Sequence, residues 1–141
     1  MMKDSKERKS ASVRYRLMFV DDDHDIAGDV AMCLNSEDFD IVVVPNGNVA
    51  LMLLDNVTPD LVVIDDSSMS ASSLETVSMI RKRSSVPVIV LSQSPLAREI
   101  DDVMSCGADD FIIKPFDKRV LVARIRAKLR RSLMQSAAGV D

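Results

Sequence analysis

Two carboxylates that follow a short apolar segment are the residues of this chain best suited to carry chemistry. The segment Leu61–Ile64 runs directly into Asp65 and Asp66. A continuous apolar run rich in β-branched residues is typical of a parallel strand that is buried on both faces. A polar residue directly after such a strand lies at the carboxyl edge of the sheet, where open α/β folds place their ligand sites. We therefore expect Asp65 to lie at the centre of the chemistry.

The same arrangement recurs after three other apolar segments. The segment LMFV precedes Asp21, Asp22 and Asp23, VIVL precedes Ser92, and FII precedes Lys114. If these segments are parallel neighbours of the Asp65 strand, carboxylates, a hydroxyl and an ammonium group converge on one edge of the sheet.

Such a set of side chains fits a phosphoryl group and a metal ion. Carboxylates in one cleft repel each other, so Asp21, Asp22 and Asp65 need a cation to remain ionised together. Two or three carboxylates with room for water suit Mg²⁺, which favours phosphate as a further ligand. Lys114 can pair with one phosphoryl oxygen, and Ser92 can donate a hydrogen bond to another. Because a carboxylate can form an acyl phosphate, these residues predict phosphoryl transfer to Asp65.

Length and composition limit the class of protein. At 141 residues, 47% hydrophobic and 28% charged, the chain fits one globular domain. No apolar run reaches membrane-spanning length. The first residues lack the apolar segment of a signal peptide, so we expect a cytoplasmic protein without a membrane partner.

Charge is divided unevenly along the chain. Residues 1–15 carry five basic and two acidic side chains, residues 117–141 carry seven and two, and the rest carry six and eighteen. The body is therefore acidic, as a cation site would tolerate, and it opposes direct DNA binding by the basic last helix. Cys33 and Cys106 are too few and too far apart for a disulfide framework or a zinc site.

Apolar periodicity predicts five strands that alternate with five helices. The strands are expected near residues 16–20, 39–44, 61–64, 86–91 and 110–113. The third helix should end in the exposed run RKRSS, and the last helix should cover about 117–133. This alternation implies a parallel sheet with helices on both faces.

Five segments carry a resemblance to a known family: MFVDDDHDI, PDLVVIDD, VPVIVLSQS, GADDFIIKPF and LVARIRAKLRR. Over about residues 16–131 the chain resembles the receiver domain of bacterial two-component response regulators, closest to the winged-helix (OmpR/PhoB-like) transcription factors. The resemblance implies a CheY-like, flavodoxin-like doubly wound α/β fold: five parallel strands in order 2-1-3-4-5 with five helices. On this fold Cys33 and Cys106 lie on opposite faces. We expect a flexible tail (1–15), a receiver domain (16–133) and a C-terminal tail or linker start (134–141).

Carried over by position, the resemblance assigns the phosphoacceptor and the metal ligands. Asp65 accepts the phosphoryl group, and Mg²⁺ is held by Asp21, Asp22, Asp65 and the backbone carbonyl of Ser67. The loop 67–73 reads SSMSASS, where the family usually has an apolar pair, Pro-Gly and Asp-Gly. Pro and Gly fix turn geometry, so their loss affects the carbonyl that Ser67 must present. The alternative interpretation is a pseudo-receiver, an interaction module that works without phosphorylation.

The resemblance also assigns the switch and the partners. Ser92 is the switch hydroxyl, Phe111 the switch aromatic, and Lys114 the lysine that pairs with phosphate. The expected phosphoryl donor is a sensor histidine kinase, and DNA would be reached only through an output domain that this chain lacks. The domain would not be a conventional enzyme, but a phosphoacceptor that assists its own phosphotransfer and dephosphorylation.

A homodimer is expected through helix 4, strand 5 and helix 5. A twofold interface is self-complementary, so acids of one subunit can meet arginines of the other. The alternative is that these groups pair within one chain, where surface ion pairs contribute little. The expected interface residues are two acids, two arginines and two apolar residues that replace the subfamily's usual charge pair: Asp109, Asp110, Arg124, Arg131, Ile100 and Val120.

Overall fold

A computed structural model describes residues 14–21, 25–34, 38–65, 71–93 and 96–140, and every structural statement below concerns these ranges. Within them, five strands alternate with five helices, as the sequence predicted. In chain order the elements are β1 (Tyr15–Val20), α1 (Asp25–Cys33), β2 (Phe39–Val44), α2 (Gly47–Val57), β3 (Leu61–Asp65), α3 (Ala71–Arg83), β4 (Val88–Ser92), α4 (Ala97–Ser105), β5 (Asp110–Ile113) and α5 (Lys118–Val140).

The strands form one sheet in the order β2-β1-β3-β4-β5, and every neighbouring pair is parallel. This confirms the predicted order. Helices α1 and α5 cover one face, and α2, α3 and α4 cover the other. Because successive side chains of a strand point to opposite faces, Leu17 and Phe19 join one core cluster and Met18 and Val20 the other. Burial on both faces explains why the central strands are continuously apolar.

The turn between β2 and α2 forms at Asn46 and Gly47. The Asn46 side chain caps α2, because its Oδ1 accepts a hydrogen bond of 3.0 Å from the Val49 amide. A Cβ atom on Gly47 would lie 2.1 Å from Oγ1 of the buried Thr76 in α3. Glycine therefore permits the close approach of α2 and α3.

The predicted exposure of the run at the end of α3 is wrong for Arg81. Its side chain is only 27% exposed, and its guanidinium reaches across to the turn between α4 and β5. The neighbouring Arg83 turns the other way and pairs with Asp55 of α2. The C-terminal turn of α3 is therefore tied to α2 on one side and to the turn after α4 on the other.

Helix α5 is longer than its apolar pattern predicted. It runs to Val140 rather than to about Leu133, whereas Leu129 is its last buried residue among those described. In the described ranges no helix is both long enough and apolar enough to span a membrane. Cys33 and Cys106 are free and pack on opposite faces of the sheet, as expected.

Candidate functional site

Asp21 and Asp65 lie side by side at the carboxyl edge of the sheet. The β1–β3 register pairs Val20 with Ile64, so the next residue of each strand is one of the two aspartates. The Asp21 amide donates a hydrogen bond of 3.0 Å to the Val44 carbonyl, which holds this edge against β2. Parallel pairing alone therefore brings the two acids together.

Ser92 and Lys114 extend the same edge. In the β3–β4 register Asp65 pairs with Leu91, and in the β4–β5 register Ser92 pairs with Ile113. The Lys114 amide then donates a hydrogen bond of 2.8 Å to the Ser92 carbonyl. Ser92 is thus one residue beyond the partner of Asp65, and Lys114 is one residue beyond the partner of Ser92. All three residues lie at the carboxyl edge of the sheet.

Lys114 and Asp65 form an ion pair between Nζ and Oδ1. The two side chains are 19% and 10% exposed, and charges attract more strongly when water is largely excluded. The ammonium group therefore neutralises the Asp65 carboxylate.

Asp21 is 3% exposed. The residue has interactions of its own, but its Oδ2 atom is buried and accepts no hydrogen bond. A buried carboxylate oxygen in this condition suits a hard cation, which prefers oxygen ligands. The described residues hold no group of three or more His, Cys, Asp or Glu side chains that could bind a metal. Asp22 and Ser67, the other predicted ligands, lie outside the described residues.

The two predicted switch residues lie on neighbouring strands. Ser92 is fully buried at the end of β4. Phe111 of β5 is partly buried and packs against the core cluster under α2, α3 and α4. Ser92 therefore lies at the polar edge of the sheet, while the Phe111 ring belongs to the layer that includes α4.

Comparison of the sequence with models of protein families identifies the kind of domain to which this polar edge belongs. The model of the response regulator receiver domain matches residues 17–126. The chain belongs to this family. A receiver is a signalling domain rather than a conventional enzyme, which agrees with the expectation from the sequence.

Relatives of this receiver include transcription regulators and solved receiver structures. The DNA-binding response regulator MtrA of Mycobacterium leprae is 35% identical over 134 residues, which are 92% of this chain and 60% of MtrA. HP1043, an orphan response regulator of H. pylori, is 32% identical with a TM-score of 0.72, covering 82% of this chain and 96% of that structure. The BeF3-activated receiver domain of Klebsiella pneumoniae RstA is 29% identical with a TM-score of 0.71, covering 82% and 98%. The chain thus spans about three fifths of MtrA.

The receiver also has a cavity beside the site that sequence reasoning missed. Its volume is about 490 Å³, in the range of ligand clefts. Ile26, Val30 and Phe116 provide apolar walls, and Lys114 and Lys118 provide positive charge. These residues come from α1 and from the segment after β5, so the cavity depends on tertiary packing that no local pattern shows.

The predicted interface acids of the receiver have partners within the chain. Asp110 accepts hydrogen bonds of 2.8 and 2.9 Å from Arg124, and Asp109 pairs with Arg81 at 2.8 Å. Val120 is 41% exposed. Ile100 is half-buried and Arg131 is exposed. The intrachain pairing considered as the alternative is therefore present for both acids, and dimerisation stays a prediction.

Proposed function

We propose that this receiver domain accepts a phosphoryl group on Asp65 from a sensor histidine kinase and thereby switches an output face. The observation that carries the proposal is the ion pair of Lys114 with Asp65 at the edge shared with Asp21 and Ser92. It combines a nucleophile, a cation for the transferred group and a buried hydroxyl in one place.

The transfer joins an oxygen of Asp65 to phosphorus while the bond from phosphorus to the donor nitrogen breaks. Lys114, already in contact with the carboxylate, pairs with an oxygen of the arriving phosphoryl group. The Ser92 hydroxyl donates a hydrogen bond to another phosphoryl oxygen. These residues act by positioning and charge neutralisation, which account for most of the catalysis in phosphoryl transfer. Water that enters the same site would reverse the modification.

Asp21 and Asp65 fit two of the ligand positions for Mg²⁺, and Asp22 and the Ser67 carbonyl would complete the set. When bound, the ion neutralises negative charge on the carboxylates and the phosphoryl group. The buried Oδ2 atom of Asp21 supports this assignment.

The output face is formed by α4, β5 and α5, and we propose that it pairs two copies. Ser92 leads towards α4, and Phe111 packs in the same layer, so both link the site to this face. Exchanging each Asp110–Arg124 pair for one with the partner leaves the number of ion pairs unchanged. The affinity must then come from apolar burial. Four large apolar side chains of α4, β5, α5 and the residue before α4 are exposed: Leu96, Met104, Ile113 and Val120.

The setting proposed for the whole protein is the cytoplasm, where it regulates transcription. MtrA is a DNA-binding response regulator and is longer than the matched region, which supports an output domain outside these residues. The receiver itself would occupy 16–133, flanked by a tail at 1–15 and a tail or linker start at 134–141.

The second candidate is a pseudo-receiver that binds partners without phosphorylation. The Ser-rich loop 67–73 favours it, because this loop lacks the Pro and Gly that usually set the backbone beside the phosphoacceptor. Both candidates use the same fold and differ in whether Asp65 reacts.

The deciding experiment is intact-mass measurement after incubation with acetyl phosphate and Mg²⁺. We expect one added phosphoryl group, lost in Asp65→Asn and retained in Asp66→Asn, which removes the adjacent carboxylate as a matched control. No adduct from either acetyl phosphate or a histidine kinase would contradict phosphorylation of Asp65 and favour the pseudo-receiver.

A further inference from the structure

The guanidinium of Arg81 has all five of its N–H donors engaged within the chain. Nε and Nη2 donate to the Gly107 carbonyl at 2.9 and 2.7 Å, and Nη1 donates to the carbonyls of Ser84 and Val86 at 3.1 and 2.7 Å. The remaining Nη2 donor reaches Oδ2 of Asp109 at 2.8 Å. The side chain therefore joins the end of α3 to the segments that precede β4 and β5.

The Arg81 side chain also packs closely against the turn before β5. Gly107 has a φ of 114°, and a Cβ atom there would lie 2.8 Å from Cγ of Arg81. This φ lies in the region that favours glycine. The position of the guanidinium is thus fixed by packing as well as by hydrogen bonds.

Asp109 is held at one oxygen and lies at the surface. Its Oδ2 accepts hydrogen bonds of 2.8 Å from both Arg81 and the Val88 amide. The side chain is still 42% exposed. Asp109 directly precedes β5 of the proposed dimer face. Of the two arginines expected on that face, Arg124 already pairs with Asp110, so Arg131 of a second copy is the one left to meet Asp109. Arg131 is exposed, so two guanidinium groups would share one carboxylate.

We infer that Arg81 restrains dimerisation by neutralising Asp109 within its own chain. The inference rests on the dimer of the proposed function. The carbonyls of Ser84, Val86 and Gly107 require only N–H donors, whereas the positive charge of Arg81 matters chiefly for Asp109. Like charges repel, so Arg81 lowers the attraction between this carboxylate and Arg131 of the second copy. The Arg81–Asp109 ion pair thus raises the concentration of chain needed for dimerisation.

The test separates the charge of Arg81 from its hydrogen bonds. Arg81→Gln removes the charge and keeps two N–H donors, while Arg81→Lys keeps the charge and loses the planar fork. We expect Arg81→Gln to tighten dimerisation severalfold in sedimentation experiments on the full chain, with and without beryllofluoride and Mg²⁺. Arg81→Lys should stay within about twofold of wild type. The gain should shrink in 0.5 M salt, where the Debye length is only a few ångströms.

Two controls accompany these variants. Arg83→Gln makes the same change of charge on the same turn of α3, but Arg83 pairs with Asp55 of α2. It should not tighten the dimer. In an Arg131→Gln background, Arg81→Gln should also have no effect, since the cation that Asp109 would attract is gone.

The inference is overturned if Arg81→Gln weakens dimerisation, if Arg83→Gln tightens it equally, or if the gain persists without Arg131. If Arg81→Gln does not fold, as judged by circular dichroism, Arg131→Gln alone decides. It should change wild-type affinity by less than about twofold, because Asp109 is already neutralised, and a larger loss refutes the inference. If all variants stay monomeric with beryllofluoride, the inference fails together with the proposed interface. The mass test on Asp65 is independent of both.

Discussion

Replacing Gly47 by alanine should destabilise the domain, although helix propensity alone predicts the opposite. Gly47 is the first residue of α2, and alanine in a helix is more favourable than glycine by about 0.5 to 1 kcal/mol. However, the added Cβ would lie 2.1 Å from Oγ1 of Thr76 and 3.1 Å from its Cβ and Cγ2. Two helices that are already in contact would have to move apart.

The size of the effect follows from these distances. Overpacking a well-packed site costs about 1 to 3 kcal/mol. Thr76 is buried and has an interaction of its own, and its displacement would weaken that interaction by about 1 kcal/mol. After the gain in propensity, Gly47→Ala should lower the free energy of unfolding by about 1 to 3 kcal/mol. For a domain of this size, that corresponds to a melting temperature lower by roughly 4 to 12 °C.

Urea denaturation followed by far-UV circular dichroism provides the measurement, since the chain has no tryptophan. Gly28→Ala is the matched control, because Gly28 is exposed on α1 and a Cβ there would have no neighbour within 4 Å. It should stabilise the domain by up to about 1 kcal/mol. In the double-mutant cycle, Thr76→Ala should recover at least about 1 kcal/mol in the Gly47→Ala background relative to additivity. Stabilisation by Gly47→Ala, or strict additivity, would refute the steric argument.

Three further predictions concern the site, the interface and acid stability. Asp21→Asn should weaken Mg²⁺ binding and leave or raise the melting temperature in EDTA, since it removes carboxylate repulsion; unchanged affinity by calorimetry would exclude Asp21 from the site. Val120→Glu combined with Arg124→Glu should keep the chain monomeric with beryllofluoride, and sedimentation like the wild type would contradict the interface. Hydrogen bonds from Arg119 lower the pKa of Asp117 from 3.8 to about 2, so this contribution is present above pH 4 and is lost as pH falls towards 2. The stability difference between wild type and Asp117→Asn should therefore close over that interval, and a constant difference would argue against the pair.

The sheet and its polar edge could be predicted because they follow from local patterns. A buried parallel strand must be apolar throughout, so Asp65 directly after Leu61–Ile64 marks the point where the chain leaves the core. The same reasoning placed Ser92 and Lys114. What the residues alone did not provide was the strand order, which came from the family resemblance.

Side-chain partners could not be predicted, because they depend on distances between segments far apart in the chain. Arg81 stands in a basic, serine-flanked run that is typical of an exposed helix end, yet two of its acceptors, Gly107 and Asp109, lie 26 and 28 residues away. The intrachain partner of Asp110 could not be predicted either. A charge pattern indicates that an acid can pair with an arginine, but not whether that arginine belongs to the same chain or to a second copy. The length of α5 was underestimated because the apolar stripe ends at Leu129, although Leu, Met, Gln and Ala after that point all favour helix.

The length of α5 has a consequence for rotation. From Leu129 to Val140 the helix rises about 16 Å at 1.5 Å per residue. A continuous helix fixes both the distance from the sheet and the rotation about the helix axis of any segment joined to its end. Each inserted residue would turn the far end by about 100° relative to the sheet, whereas seven would return it almost to its starting orientation. Insertions after Leu129 would therefore change the orientation of a domain joined to α5 with the period of the helix, and not only its distance from the sheet.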